Sequence, residues 1–199
     1  LRVELQGKLP DWVTAKDVIM EVLRRISVKG GVGKVLEYTG PGVAGLTIPE
    51  RATITNMGAE TGATTSVFPS DDVTRQWLQA QQRVDDWSEQ KADPDAHYDE
   101  DLVIDLSELV PLIACPFSPD NVETVEDVAG RPVDQVCIGS CTNSSYADLM
   151  TVAKLLKGRK IDDRVSLTIS PGSRQVLAMV AETGALADIV AAGGRLLEN

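Results

Sequence analysis

The stretch "VDQVCIGSCTNSSYADLMTVAKLLKG", Val133 to Gly158, decides the fold. Its first seven residues are β-branched and apolar enough for a strand. A polar turn around Cys141 follows, and then an apolar run at helical spacing. Ser145 and Asp148 form a capping box at the start of that helix, and Gly158 closes it. The pattern repeats at once: "RVSLTIS" reads as a strand, "GSRQVLAMVAETG" as a helix and "ALADIVAAGG" as a shorter helix. The closing "RLLEN" begins another strand. Strands alternating with helices in this way predict a parallel α/β sheet.

Upstream the reading is similar but less regular. "RVELQGKL" alternates at Val3 and Leu5 as an edge strand or hairpin arm. "TAKDVIMEVLRRIS" is a helix capped by Thr14 and Asp17, with Val18, Ile19, Val22, Leu23 and Ile26 on one apolar stripe. "KGGVGKVLEY" turns into a strand ending near Tyr38. "PERATITNMGAETG" starts a short helix at Pro49 that ends near Gly62. "ATTSVFP" reads as a buried strand. A capped helix follows, with Val73, Trp77, Leu78 and Val84 facing inwards, and "LVIDLSEL" is a further strand. The prolines of "PLIACPFSPDNVET" read as a linker, so residues 1–115 and 116–199 are expected to form separate domains.

Composition bounds the function. With 43% hydrophobic and 25% charged residues over 199 positions, the chain is an ordinary globular one. A net charge of −11 argues against nucleic-acid binding, which relies on basic patches. No apolar run is long enough for a transmembrane helix, and the N-terminus lacks a secretory pattern. Three cysteines without a disulfide-framework spacing point to a reducing, cytoplasmic compartment.

Two stretches carry candidate chemistry. Cys141 sits in a strand-to-helix turn, where helix N–H groups stabilise a thiolate, and Ser140, Thr142 and Asn143 surround it with donors. It is a candidate metal ligand or nucleophile. Free cysteines are also among the most buried residue types, so a packing role stands beside these readings. The single histidine, His97, lies in a polar loop, which weakens a Cys–His hydrolase. Cys137 and Cys141 have C-x3-C spacing rather than that of a zinc site; Cys137 reads as core, and Cys115 has no partner in sequence.

In "TITNMGAETGATT", Asn56 and Glu60 are four apart and share a helix face, where an amide and a carboxylate can hold a hydroxyl and pass it a proton. Gly58 and Gly62 leave room for another backbone or a ligand. A solvated surface helix is the competing reading. "KGGVGKV" is not a phosphate loop, because Val28 and Val35 stand where Gly and Ser/Thr are needed.

Taken together, "VKGGVGKVLEYTGPGV", "ATITNMGAETGATTSVFPSD", "HYDEDLVIDLSELVPLIACPFSPDN", "IGSCTNSSYADL" and "TISPGSRQ" resemble the aconitase family of iron–sulfur hydro-lyases, in order and along nearly the whole chain. The "NMGAETGATTSVFP" form is similar to aconitase proper more than to the sister isopropylmalate isomerases, with homoaconitase a further candidate. The resemblance implies a three-layer α/β/α aconitase-type domain, followed by a partial second α/β unit with parallel strands that opens the cluster-bearing domain. It assigns Cys141 to the first of three thiolates around a [4Fe-4S] cluster, and Asn56 and Glu60 to the active-site lining. The glutamate would contact the hydroxyl or water on the open iron.

The implied substrate is a tricarboxylic acid, citrate or isocitrate, as in the tricarboxylic acid cycle. Thr55 stands where the family often has a non-ligand cysteine. The family's C-G-P-C pair, which supplies the other two thiolates, would follow the segment that ends at Asn199. The chain is therefore expected to be an internal piece of such an enzyme. Its implied partners are the remaining aconitase domains, and it should be inactive and without a cluster alone. A non-catalytic partner-binding module is the alternative from another class.

Overall fold

The computed structural model describes residues 1–197, with the side chain of Cys141 outside that description. The chain forms two compact units, Leu1–Ala129 and Gly130–Asn199.

The first unit is built on a parallel four-stranded sheet of β1 (Arg2–Gln6), β2 (Val35–Thr39), β3 (Thr65–Val67) and β4 (Asp101–Asp105), in the order β3-β2-β1-β4. Helix α1 (Ala15–Ile26) joins β1 to β2, and α2 (Ile48–Gly58) joins β2 to β3. Val3, Leu5, Leu36, Tyr38 and Ile104 point to one face and pack with Val18, Ile19, Val22 and Ile54 in a closed core. β1 is thus an interior strand and not the edge that its alternation suggested. Its polar residues Arg2, Glu4 and Gln6 occupy the far face.

β3 is an outer strand, and its residues are exposed or half-buried rather than core. The return from β3 to β4 runs opposite to the first two crossovers, and a right-handed connection then passes on the far side. Tyr98 from this connection lies there, donating to Glu37 at 3.1 Å beneath the Arg2 guanidinium. This third layer is mostly irregular chain. Its helix α3 (Asp72–Ala80), capped by Asp71, buries no residue, and Trp77 and Val84 are each 39% exposed instead of facing inwards.

The segment read as a linker is structured. β5 (Leu112–Ala114) and β6 (Val122–Thr124) pair antiparallel, followed by the short helix α4 (Val125–Val128). Asp17 ties the hairpin to α1: one carboxylate oxygen completes the cap on Thr14, while the other accepts the Leu112 N–H at 2.7 Å. The Val28 N–H donates to Asp120 at 3.1 Å in the hairpin's loop. These bonds hold the hairpin to α1, and the compact units part between Ala129 and Gly130.

In the second unit β7 (Gln135–Gly139), β8 (Ser166–Ser170) and β9 (Arg195–Leu196) form a parallel sheet in sequence order. Between β7 and β8 lie the four-residue helix α5 (Ser140–Asn143) and α6 (Tyr146–Leu156). Helices α7 (Arg174–Glu182) and α8 (Ala185–Ala192) lead to β9. Right-handed crossovers that all step the same way put their helices on one face. Leu149, Ala153, Val180, Ala185 and Ile189 accordingly close over Ile169, with Ile138 packed against them. Cys137 alternates away from that core and is exposed, which corrects its reading as a core residue.

Candidate functional site

Asn56 lies in the last turn of α2, and Glu60 in the 3-10 turn Ala59–Thr61 that continues it to Gly62, where φ is +78°. Both are exposed. Because α2 connects two parallel strands, its end returns to the level where the strands begin. Backbone bonds confirm this: Gly31 N–H donates to Thr61 at 2.9 Å, and Thr64 N–H to Lys34 at 2.9 Å. The pair therefore sits at the amino edge of the sheet, away from the carboxyl edge where open α/β sheets usually bind ligands.

The two glycines here closely approach other parts of the protein. A Cβ at Gly58 would strike the Ser66 hydroxyl, and one at Gly62 would come within 2.8 Å of Val32. Nearby, the Ser118 hydroxyl and then the Val28 N–H hold the half-buried Asp120 carboxyl below its usual range.

The start of α2 is fixed by a buried arginine. Arg51, 4% exposed, spends its whole guanidinium on fixed acceptors. Nε donates to Leu46 O at 3.1 Å, Nη2 to Val43 O at 3.0 Å and Nη1 to Pro69 O at 3.1 Å. The two Nη atoms also grip Asp71 at 2.9 and 2.7 Å. One side chain thereby joins the loops that follow β2 and β3. Burial pushes the Asp71 carboxyl up, but the Arg51 hydrogen bonds and the Thr74 N–H outweigh it and leave the net value lowered. Arg51 carries no motif signal beyond a lone cation in an apolar helix, and it was not singled out from the sequence.

His97 is exposed in the loop before β4. It lines a cavity of ≈ 340 Å³ with Lys34, Glu37, Tyr98 and Glu100. None of the described cavities is lined by Asn56, Glu60 or a cysteine.

The Cys141 turn belongs to the second unit and is described by itself. It follows β7 directly, so it lies at the carboxyl edge of the β7–β8 pair, the position where α/β sheets bind ligands. Ser140 opens the turn at φ +68°, a left-handed conformation that costs a non-glycine residue about 1 kcal/mol. Such outliers gather at functional sites. Ser140 and Asn143 are exposed, and Thr142 is half-buried. The ligand role expected of Cys141 falls on a side chain outside the described residues. Among the described residues, no three His, Cys, Asp or Glu side chains cluster as a metal site. Cys115 is buried in the first unit, and Cys137 is exposed on β7. Among the described residues, no single helix is long and apolar enough to cross a membrane.

The chain thus carries two parallel α/β sheets, with a cysteine-bearing turn at the carboxyl edge of one and an Asn/Glu pair at the amino edge of the other. The chain belongs to the aconitase family: the family model, described as aconitate hydratase, matches residues 1–132 and 126–199. It is 42% identical over 196 residues to a 3-isopropylmalate dehydratase large subunit of Archaeoglobus fulgidus, covering 98% of the chain and 47% of that protein. It is 39% identical over 194 residues to one of Rubrobacter xylanophilus, covering 97% and 45%. The chain thus spans about half the length of these relatives. Aconitase X of Thermococcus kodakaraensis in its holo-form superposes with a TM-score of 0.52 at 14% identity, over 99% of this chain and 42% of that one, a likeness of fold. These curated relatives carry the isopropylmalate name, so they do not support the narrower likeness to citrate-processing aconitase drawn from "NMGAETGATTSVFP".

Proposed function

We propose that the chain is the part of an aconitase-type hydro-lyase that supplies one cluster thiolate, Cys141, the proton-transferring carboxyl of Glu60 and the orienting amide of Asn56. Its reaction is the reversible loss of water from a hydroxy-polycarboxylate. The observation that carries the reading is the Cys141 turn itself: a strained strand-to-helix connection at a sheet's carboxyl edge, within a chain of this family. In the assembled enzyme Cys141 would hold one corner of a [4Fe-4S] cluster, with Ser140, Thr142 and Asn143 offering hydrogen bonds around the thiolate.

When bound, the cluster supplies a Lewis-acidic iron for the departing hydroxyl. Glu60 hands a proton to that hydroxyl as it leaves and takes one back from water in the reverse direction. Asn56 donates from its amide to orient the same oxygen. The base that takes the carbon-bound proton, the remaining ligands and the groups that bind carboxylates would come from the rest of the enzyme, so the chain alone is inactive.

The relatives favour 3-isopropylmalate as substrate. The form of "NMGAETGATTSVFP" keeps citrate as a second reading. The test is anaerobic reconstitution of the chain with a polypeptide carrying the segments that it lacks relative to the Archaeoglobus protein. Iron, sulfide and dehydration of each substrate are measured. Cluster formation that needs Cys141, with 3-isopropylmalate dehydrated and citrate left alone, is the expected result. A full cluster in the Cys141→Ser variant would overturn the ligand role, and activity on citrate alone would reverse the substrate assignment.

A further inference from the structure

We propose that Ser144 is the positioning residue of the Cys141 turn, and that Gly172 is its counterpart on the neighbouring loop. The inference rests on the reading of Cys141 as a ligand. Ser144 is fully buried, unusual for a serine beside a solvent-facing turn. Its hydroxyl donates to the Ser140 carbonyl at 2.7 Å, closing a ring that encloses residues 141–143. Its own carbonyl accepts the Gly172 N–H at 3.1 Å, which fastens that ring to the loop after β8. At Gly172 a Cβ would come within 3.2 Å of Ser144 O and 3.3 Å of Ser140 O, so a side chain there would press on both carbonyls. At the strand ends just before these loops, a Cβ at Gly139 of β7 would meet Ser170 Cβ of β8 at 3.0 Å.

The strained φ of Ser140 is thereby held by bonds on both sides of Cys141. Ser145, the neighbouring serine, is spent on capping α6, where its hydroxyl pairs with Asp148. The adjacent serines divide the work: one starts the helix, and the other holds the ligand turn. A thiolate that must meet iron at a fixed distance needs a fixed Cα, and this clamp supplies it.

The test reads the thiol without any iron. Each cysteine of the intact chain is alkylated with iodoacetamide and followed by peptide-resolved mass spectrometry, with exposed Cys137 as the internal reference. Amide exchange is recorded in parallel. In Ser144→Ala the Cys141/Cys137 rate ratio should rise about fivefold, the scale of one lost hydrogen bond. Faster exchange should be confined to residues 140–145 and 172, and Ser144→Thr should restore both readouts.

A ratio within about twofold of the parent, with exchange unchanged at 140–145, overturns the proposal. So does exchange that rises evenly through α6, α7 and α8, which would make Ser144 a plain core residue. Should Ser144→Ala fail to fold, Gly172→Ala presses on the same two carbonyls and must shift the same ratio. Failure here leaves the ligand reading standing, because that reading is judged by cluster content in Cys141→Ser.

Discussion

Replacing Arg51 by methionine keeps the packed stem of the side chain and removes its guanidinium. Three backbone carbonyls, of Val43, Leu46 and Pro69, then lose their donor, at about 1 kcal/mol each for groups that water reaches poorly. The Asp71 carboxylate loses both bonds, but it is 30% exposed and recovers part of that loss from solvent. The contact of the guanidinium over the Phe68 ring adds roughly 0.5 kcal/mol. The sum is about 4 kcal/mol, within the range for breaking one partner out of a buried ion pair. For a unit of this size that corresponds to a drop in Tm of roughly 10–20 °C.

Tryptophan fluorescence is a clean probe, because Trp12, Trp77 and Trp87 all lie in the first unit. Urea melts followed at this signal report that unit alone. Arg51→Lys keeps the charge but not the planar fork, and should recover less than about half of the loss. A cost below about 1.5 kcal/mol in Arg51→Met would refute the idea that this side chain pins the loops after β2 and β3.

Asp71 gives the same clamp a pH signature. Its folded carboxyl is held below the unfolded value of about 3.9, so its contribution is complete above that pH and fades as pH falls through the folded value. The urea midpoint should hold from neutral pH to about 5 and then fall, and Asp71→Asn should flatten that fall; an unchanged profile would speak against the assignment. Tyr38 is wholly buried, its ring is stacked 4.5 Å from Phe68, and its hydroxyl has no partner among the described residues, so burial pushes its ionisation well up. Tyr38→Phe keeps the stack and should stabilise the unit by about 1 kcal/mol in the same melts; a loss of stability would show an unseen partner. Asp17→Ala removes a helix cap and the anchor of Leu112, for about 2–3 kcal/mol. Exchange should quicken across Leu112–Ala114 and Val122–Thr124 before the rest of the unit, and uniform exchange would contradict the anchoring.

Local signals in the sequence were read well because their partners are close along the chain. Thr14 with Asp17 and Ser145 with Asp148 form the capping boxes that their spacing suggests. What needs distant partners was harder to see. The interior position of β1 depends on β4, which is about a hundred residues away and pairs Arg2 with Asp101. The strands of the β5–β6 hairpin have only three residues each, flanked by Pro111, Pro116 and Pro119, so they read as a linker. In α3 the spacing of Val73 and Trp77 shows which face is apolar, but it cannot show whether anything covers that face. Cys137 has apolar neighbours on both sides, and only the one-sided helix layer decides which way it points. Asn56, Glu60 and Cys141 became candidates from their residue types and turn positions. Their chemical roles come from the family resemblance, since geometry alone leaves the first two exposed at a sheet's amino edge.

The bond between Asp17 and Leu112 also bears on the order in which the first unit assembles. The partners are 95 residues apart, and the Val28–Asp120 bond spans 92. Contacts of such range are reached late and slow the folding of the domains that depend on them. Helix α1 can form early, yet its buried carboxylate keeps one lone pair unclaimed until the β5 strand has emerged and docked. A nascent first unit therefore stays open along this seam through most of its own synthesis. Over that interval, it is the stretch a chaperone would find exposed.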